Sequence, residues 1–182
     1  MKAIATAAGL LALFIVLEGG LPHTALTEFD ELRGYASWQE VTEGPHKVLP
    51  EISTRCMLQI HPGAFDDRTN TVNQYIRVFA TSPASSMMRS TRVDRFPTGS
   101  TVAKVKLVEG SSEPVGVAFM VKRKPGFNPE GRDWEYFLFE GKTMRLSARG
   151  VISECRFCHG SQDLTDGLFR SYLSDGSGRA GG

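Results

Sequence analysis

The middle of the chain alternates between apolar segments and clusters of turn residues. Four segments there are rich in β-branched and aromatic residues: Tyr75–Thr81, Thr101–Val108, Val115–Lys122 and Trp134–Phe139. A stretch at 109–114 with Gly, Ser and Pro joins the second segment to the third. A longer stretch at 124–133, with two prolines and two glycines, precedes the fourth. Short strands separated by such turns predict an antiparallel sheet.

Helical spacing is confined to short regions on either side of these strands. Thr27 resembles a helix start, and apolar residues follow it at helical spacing, namely Phe29, Leu32 and Ala36. Near the other end, Ser153 is the predicted cap of a second short helix. One or two further amphipathic turns are indicated by Leu164, Leu168, Tyr172 and Leu173. Between residues 40 and 73 the pattern predicts only a strand at 55–60. The expected fold class is therefore mainly β (α+β), an antiparallel sheet with a few short helices.

The amino terminus has the organisation of an exported protein. The first two residues are Met and Lys, and an apolar run fills positions 3–17. A charged start followed by a short apolar centre predicts a signal peptide over residues 1–25, with cleavage between residues 19 and 25. The alternative is an uncleaved membrane anchor, for which the run is short. We expect a periplasmic protein with no membrane contact after cleavage.

Composition and charge narrow the classes of partner. The 21 basic and 20 acidic residues give a formal net charge of +1, and there is no basic block. This balance argues against nucleic acid and against an anionic membrane surface. Residues 26–173 are about the size of one domain. The end of the chain, 174–182, is mostly Gly, Ser and charge, which predicts a disordered tail.

One motif near the carboxy end carries chemistry. Cys155, Cys158 and His159 form a C-x-x-C-H sequence, in which two cysteines attach haem through thioethers and the histidine binds the iron. Half of a zinc site and a redox dithiol are the alternatives. A zinc site needs four ligands, and the remaining cysteine, Cys56, stands alone. The motif predicts a single haem c held by Cys155 and Cys158, with His159 as the metal ligand. Cys56 is expected to be buried, with pairing across a dimer as the alternative.

The position of the motif also argues against a small classical electron carrier. Such carriers are largely helical and have the motif near the amino end with a ligating methionine downstream, whereas here no methionine follows His159. We therefore expect an open sixth site at the iron. An axial methionine from upstream is the alternative, from Met87, Met88, Met120 or Met144.

A series of blocks resembles the cytochrome P-460 family. The blocks are Phe96–Lys104, Met120–Arg123, Asp133–Phe137, the C-x-x-C-H motif and Leu164–Tyr172. The resemblance extends from about Trp38 onward and implies a mainly antiparallel β fold that binds one c-type haem, usually as a homodimer. In the enzymes of the family, a lysine is cross-linked to the haem edge and hydroxylamine is oxidised. In the related β-sheet cytochromes c-prime that bond is absent, and nitric oxide or carbon monoxide is bound.

The resemblance assigns the cross-linking lysine to Lys104. In the enzymes that lysine lies five residues after the glycine of a segment resembling F-x-x-G-T-V-x-V-K, and here Lys104 lies five residues after Gly99. Lys106 is an alternative register, because residues two apart on a strand point the same way. A further alternative is that both lysines are solvated strand residues.

The same resemblance suggests residues for the distal side. Tyr75–Ala80 resembles the strand that supplies a distal arginine, which places Arg77 over the open site; stacking on aromatic neighbours is the alternative. Hydroxylamine oxidation releases protons, so a carboxylate is expected as general base. Glu135 is the named candidate, with Glu140 and Glu154 as alternatives.

Three functions remain open from the sequence. The first is hydroxylamine oxidation to nitrous oxide or nitric oxide, with electrons passed to a redox partner cytochrome. The second is binding of a gas ligand, nitric oxide or carbon monoxide, in an apolar pocket capped by Phe96, Phe79 or Phe119. The third is a six-coordinate electron carrier, which needs a second axial ligand from Met120, Met57 or His61.

Overall fold

The protein is built around one antiparallel sheet. The computed structural model describes residues 25–48, 74–90 and 93–173, and seven strands within them pair in a single sheet. These are β1 (Gln39–Glu40), β2 (His46–Val48), β3 (Gln74–Ala80), β4 (Thr101–Val108), β5 (Gly116–Lys122), β6 (Trp134–Glu140) and β7 (Leu146–Gly150). Strands β3 to β7 lie side by side in chain order, and β1 and β2 both pair with β3 at the same edge. The predicted mainly β fold is confirmed.

The four predicted strands agree with β3 to β6 to within one residue at either end. Their β-branched and aromatic residues suit a pleated surface that is covered on both sides. The hairpin predicted at 109–114 joins β4 to β5, and the loop predicted at 124–133 joins β5 to β6. The sequence prediction missed β1, β2 and β7, of which the first two are only two and three residues long.

Within the described ranges, two α-helices accompany the sheet, α1 (Ser82–Met88) and α2 (Ser153–Gly160). Helix α1 was not predicted, although Pro83 in its first turn is a recognised start signal. The predicted amino-terminal helix is wrong: the chain forms two 3₁₀ turns, Leu26–Glu28 and Tyr35–Ser37. Gly34 separates the turns with a left-handed φ of 72°, which interrupts helical geometry.

The start of α2 also differs in detail from the prediction. Ile152 occupies the N-cap position, and Ser153 is the first helical residue. The Ser153 hydroxyl donates a hydrogen bond of 2.7 Å to the Glu154 carboxylate instead of capping the helix. The turn predicted after the motif is present as a 3₁₀ turn at Asp163–Thr165, and the apolar Leu168 and Leu173 that follow it are buried.

The sheet has two covered faces with different coverings. The back face carries Phe79, Ala103, Phe119 and Phe137, and residues 26–38 pack on it. The opposite face, here called the cavity face, carries Val78, Val102, Met120 and Tyr136. Helix α1 and the segment with Leu168 and Leu173 pack on the cavity face, and Cys155 of α2 contacts its core. The sheet therefore separates any cofactor site on the cavity face from the core on the back face.

Several predictions lie outside the described residues. They are the signal peptide up to residue 24, the strand at 55–60, Cys56, Met57, His61 and the tail at 174–182. Across the described ranges, no helix is long and apolar enough to cross a membrane.

Candidate haem site

Strand β4 directs two lysines toward the cavity face. Across the sheet Lys104 is paired with Val78 on one side and Ala118 on the other, and Lys106 is flanked by Gly116. Because Ala118 and Gly116 are small, the lysine side chains have open space beside them above the sheet. Both lysines line the same cavity. The prediction that they share a strand face holds, so the geometry leaves both in reach of a ligand there.

Helix α2 brings the motif residues to the same cavity. Cys155, Cys158 and His159 are separated by three and four positions, which places them on one helix face. All three line the cavity, whereas Phe157, between the cysteines, is 85% exposed on the opposite side. The helix therefore presents both thiols and the imidazole together, as covalent haem attachment requires.

The cavity between α2 and the sheet is large and mostly apolar. Its empty volume is about 1370 Å³, which includes the mouth that opens to solvent. Val78, Val102, Leu138 and Leu168 contribute aliphatic walls, and Phe169 contributes an aromatic one. A mostly apolar lining with a few polar groups is typical of cofactor sites, so these walls suit a flat and mainly apolar ligand.

His159 is oriented as a metal ligand would be. Its Nδ1 lies 2.6 Å from the backbone oxygen of Gly167. A carbonyl only accepts, so Nδ1 carries the proton and Nε2 keeps its lone pair. The ring is held by Tyr136, at 5.7 Å between centroids, and by Phe169, at 5.1 Å. Burial, followed by the charge of Lys104, lowers the pKa of His159 to about 4, against the Gly167 bond, which raises it. The imidazole is therefore neutral near pH 7.

Tyr136 gives an independent indication that the cavity holds a ligand. Its side chain is buried and lines the cavity, and its hydroxyl has no hydrogen-bond partner among the described residues. Buried polar groups are nearly always paired in native proteins. Together with the thiol pair, the oriented imidazole and the apolar walls, this hydroxyl fits an occupied site, and haem suits all four features.

Comparison with known proteins supports the same assignment. The family model described as cytochrome P460 matches residues 58–170, more than half of the chain. The chain belongs to the cytochrome P460 family. The match contains β3 to β7 and the whole C-x-x-C-H motif. The cavity lined by Cys155, Cys158 and His159 is therefore where we expect the haem of a cytochrome of this family. No curated protein matches the chain.

In this cytochrome P460 domain, Arg77 does not stand where the resemblance implied. It pairs with Val105 of β4 and shares the back face with Phe79, whose ring lies 5.2 Å from the guanidinium. Its Nε and an Nη donate to the Glu40 carboxylate at 2.8 and 2.5 Å. The hydrogen bonds to Glu40 raise the pKa of Arg77. The stacking alternative therefore describes its contacts, and the distal assignment of Arg77 is corrected.

Glu135 is likewise on the back face. Its carboxylate accepts hydrogen bonds from Arg123 at 2.5 Å and from Arg149 at 2.8 Å, and it does not line the cavity. The candidate base is thus part of an ion-pair cluster, and that assignment is also corrected. Glu140 pairs with Arg145. Glu154 is the carboxylate that lines the cavity among the described residues.

The remaining sequence candidates separate in the same way. Met120 lines the cavity, whereas Met88 is buried in the cavity-face core and Met144 packs on the back face. The ring of Phe119 packs against Tyr35 on the back face, and Phe96 is buried against Trp134. Phe79 also belongs to the back-face core. Phe79 and Phe96 therefore do not line the cavity, whereas Phe119 does border it although its ring packs on the back face. Phe169 is the phenylalanine whose ring contacts His159 at the cavity.

Sequence reasoning missed three cavity residues. His46 of β2 lies beside Ile76, which in turn pairs with Lys106, so its side chain belongs to the cavity face. Tyr136 and Phe169 were inside recognised blocks but received no role. Nothing in the sequence indicated that His46 lies on a strand, because β2 has only three residues and is too short to show the two-residue alternation of a strand.

Proposed function

We propose that this protein is a periplasmic enzyme with one covalently attached haem c that oxidises hydroxylamine. In this proposal Cys155 and Cys158 form the thioethers and His159 provides the proximal nitrogen. The observation that carries it is the meeting of the motif with Lys104 at one cavity. Lys104 and His159 line the same cavity, so the lysine side chain is beside the proposed haem site. A lysine in that position favours the cross-linked, enzymatic branch of the family.

The haem supplies the redox chemistry when bound, and the chain supplies attachment, orientation and proton transfer. Conversion of two hydroxylamine molecules to nitrous oxide and water releases four protons and four electrons. The electrons pass to a redox partner cytochrome. Glu154, at the cavity, is the proposed proton acceptor, in place of Glu135. The mouth of the cavity opens to solvent, which would admit a small nitrogenous substrate.

Export and assembly complete the proposal. The charged and apolar amino terminus supports transport to the periplasm, where c-type haem is attached, and a homodimer is the arrangement that the family implies. The intact mass of protein recovered from the periplasm tests export, because it shows whether the signal peptide has been removed. Sedimentation at several protein concentrations tests the dimer.

Lys104 provides the decisive experiment, with Lys106 as a matched control on the same strand face. We expect Lys104→Ala to remove the haem–lysine peptide from a proteolytic digest, restore an ordinary c-type spectrum and reduce hydroxylamine-dependent dye reduction at least about 100-fold. Lys106→Ala is expected to retain the cross-link and the activity. Unchanged turnover in Lys104→Ala would reject the enzymatic proposal. Loss of both properties in Lys106→Ala alone would transfer the role to Lys106.

Gas binding is the second candidate, and the polarity of the cavity favours it. Arg77 and Glu135 lie on the other face of the sheet, and the walls are mainly apolar. Such walls favour neutral diatomic ligands over a polar substrate. Tight nitric oxide binding without any hydroxylamine-dependent dye reduction would select this function. A low-spin ferric spectrum unaffected by added ligands would instead select the electron carrier, with Met120 at the cavity as its axial ligand.

A further inference from the structure

We propose that a buried ion pair between Lys122 and Asp166 positions the proximal histidine through the backbone carbonyl of Gly167, and so sets the electron density that His159 donates to the haem iron. This inference rests on the proposed function for the haem and for His159. It assigns a positioning role to two residues that contact neither the cysteines nor the imidazole directly.

The ion pair is enclosed by protein. Lys122 Nζ donates to the Asp166 carboxylate at 2.5 Å, and the two side chains are 0% and 4% exposed. The same ammonium donates to the backbone oxygen of Arg132 at 2.5 Å and lies 4.9 Å from the ring centre of Trp134. Lys122 ends β5, whereas Asp166 belongs to the segment after α2. The pair therefore ties the carboxy-terminal segment to the sheet.

Asp166 holds the turn from which the proximal hydrogen bond comes. The carboxylate oxygen that binds Lys122 also accepts from the backbone N–H of Phe96 at 2.6 Å. The backbone oxygen of Asp166 accepts from the Trp134 indole at 2.6 Å. These hydrogen bonds hold a turn in which two successive residues have a left-handed backbone, Asp166 with φ 48° and Gly167 with φ 90°. The direction of the next carbonyl is thus determined at several points.

That next carbonyl is the acceptor for His159. The Gly167 N–H donates to the Gln162 oxygen at 2.9 Å, and the Gly167 oxygen accepts from His159 Nδ1 at 2.6 Å. A Cβ on Gly167 would make only ordinary van der Waals contact with the Trp134 indole at 3.5 Å, so the positive φ of 90° is what favours glycine at this position. A chain of direct contacts therefore runs from the Lys122 ammonium through Asp166 and Gly167 to the imidazole.

Stability does not by itself explain this arrangement. Taking a lysine and an aspartate out of water is costly, and apolar residues of similar volume often replace a buried pair without loss. Burial lowers the pKa of Lys122 while Asp166 raises it, so the charged lysine depends on its partner. A geometric role accounts for the pair: it keeps a carbonyl within hydrogen-bonding distance of Nδ1. Such a bond raises the basicity of Nε2 and stabilises ferric over ferrous iron.

The test compares holoprotein of the parent with Lys122→Met, and with the double variant Lys122→Met/Asp166→Asn, which removes both charges and leaves a residue that tolerates the left-handed region. The readouts are the iron–histidine stretching band of the ferrous protein and the midpoint potential. We expect a lower band frequency and a higher potential, with the ferrous-to-ferric ratio at a fixed potential raised by up to about tenfold. If the Lys122→Met protein does not accumulate, the band frequency and the midpoint potential of the double variant test the proposal.

Glu135→Gln is the matched control, because Glu135 is a buried ion-pair partner on the back face. It is expected to leave the band and the potential at parent values. Parent values in the double variant would overturn the positioning role, and an equal shift in Glu135→Gln would reduce it to general destabilisation. A parent protein that shows no iron–histidine band would instead contradict the assignment of His159 in the proposed function.

Discussion

Tyr136 and Phe137 are neighbours on β6, yet they belong to two different environments. Phe137 points to the back face, where its ring packs edge-on against Phe29 at 5.4 Å between centroids. Tyr136 points to the cavity, where its hydroxyl has no partner among the described residues. Among the described residues, Phe137 thus finds its packing partners within the protein, whereas the Tyr136 hydroxyl is left for a ligand. The difference separates residues that stabilise the sheet from residues that bind haem.

The largest effect on stability is expected from Phe137→Ala. The side chain is fully buried, and two guanidinium groups lie over its ring, those of Arg123 at 5.9 Å and Arg149 at 4.9 Å. Truncation should lower the free energy of unfolding by about 3–5 kcal/mol, measured by urea denaturation. The haem spectrum of the folded variant is expected to remain that of the parent. A changed spectrum at low urea would show that the two faces are coupled.

A smaller loss is expected from Glu135→Gln. The carboxylate is buried between Arg123 and Arg149, which are themselves partly exposed, and Arg123 also binds Glu31. Removing the charge leaves these arginines with fewer partners and should cost about 1–3 kcal/mol in urea denaturation. Hydroxylamine-dependent dye reduction should stay within about twofold of the parent. A loss of activity without a loss of stability would return Glu135 to the role of general base.

The loss of stability caused by Tyr136→Phe is expected to depend on whether haem is bound, unlike the losses caused by the back-face variants. A hydroxyl that bonds only to a ligand contributes about 1 kcal/mol when the ligand is present and nothing when it is absent. We therefore expect the variant to lose about that amount in the holoprotein, and to lose none in chain produced without haem attachment. Urea denaturation of both forms is the measurement. Equal losses in both forms would mean that the hydroxyl has a protein partner.

The sheet was predictable from the sequence, but the face of each residue was not. Strands covered on both sides lack the alternation of apolar and polar residues that identifies an inner face. In β3, Ile76 and Val78 face the cavity and Tyr75 and Phe79 the back, so nothing in the pattern places Arg77. Glu135 could not be assigned to a face either, because its neighbours in the chain, Trp134 and Tyr136, are both buried aromatic residues. Only the register with β4 and β5 decides these positions.

The motif could be recognised in the sequence because its two cysteines and its histidine have the spacing that is typical of covalent haem attachment. Lys104 and Lys106 were also placed correctly relative to each other, since a strand repeats every two residues. The support for His159 could not be found in this way. Its acceptor is a backbone oxygen of Gly167, held by Asp166 and Lys122, which are 44 positions apart. Side-chain patterns carry no signal for a backbone acceptor.

The smallest expected effect is that of Arg77→Met, which removes the charge at the edge of the back face and keeps an apolar stem over Phe79. The hydrogen bonds and charge of Arg77 hold the pKa of Glu40 below its usual value of 4.5. A lowered native pKa gives stability that is present above the unfolded pKa and disappears as the pH falls through the native one. Since Arg77 is well exposed, the loss at pH 7 should be only about 0.5 kcal/mol.

Urea denaturation at two pH values checks the Arg77 prediction. The difference between parent and Arg77→Met should shrink as the pH falls below 4.5 and through the lowered native pKa of Glu40. A difference that does not change with pH would assign the loss to packing on Phe79. The activity is the sharper readout. Because Glu40 and Phe79 hold the guanidinium on the back face, turnover of hydroxylamine should not change. A tenfold loss of turnover would mean that Arg77 reaches the cavity when haem is bound, and the separation of the two faces would fail at the residue where the family resemblance predicted it.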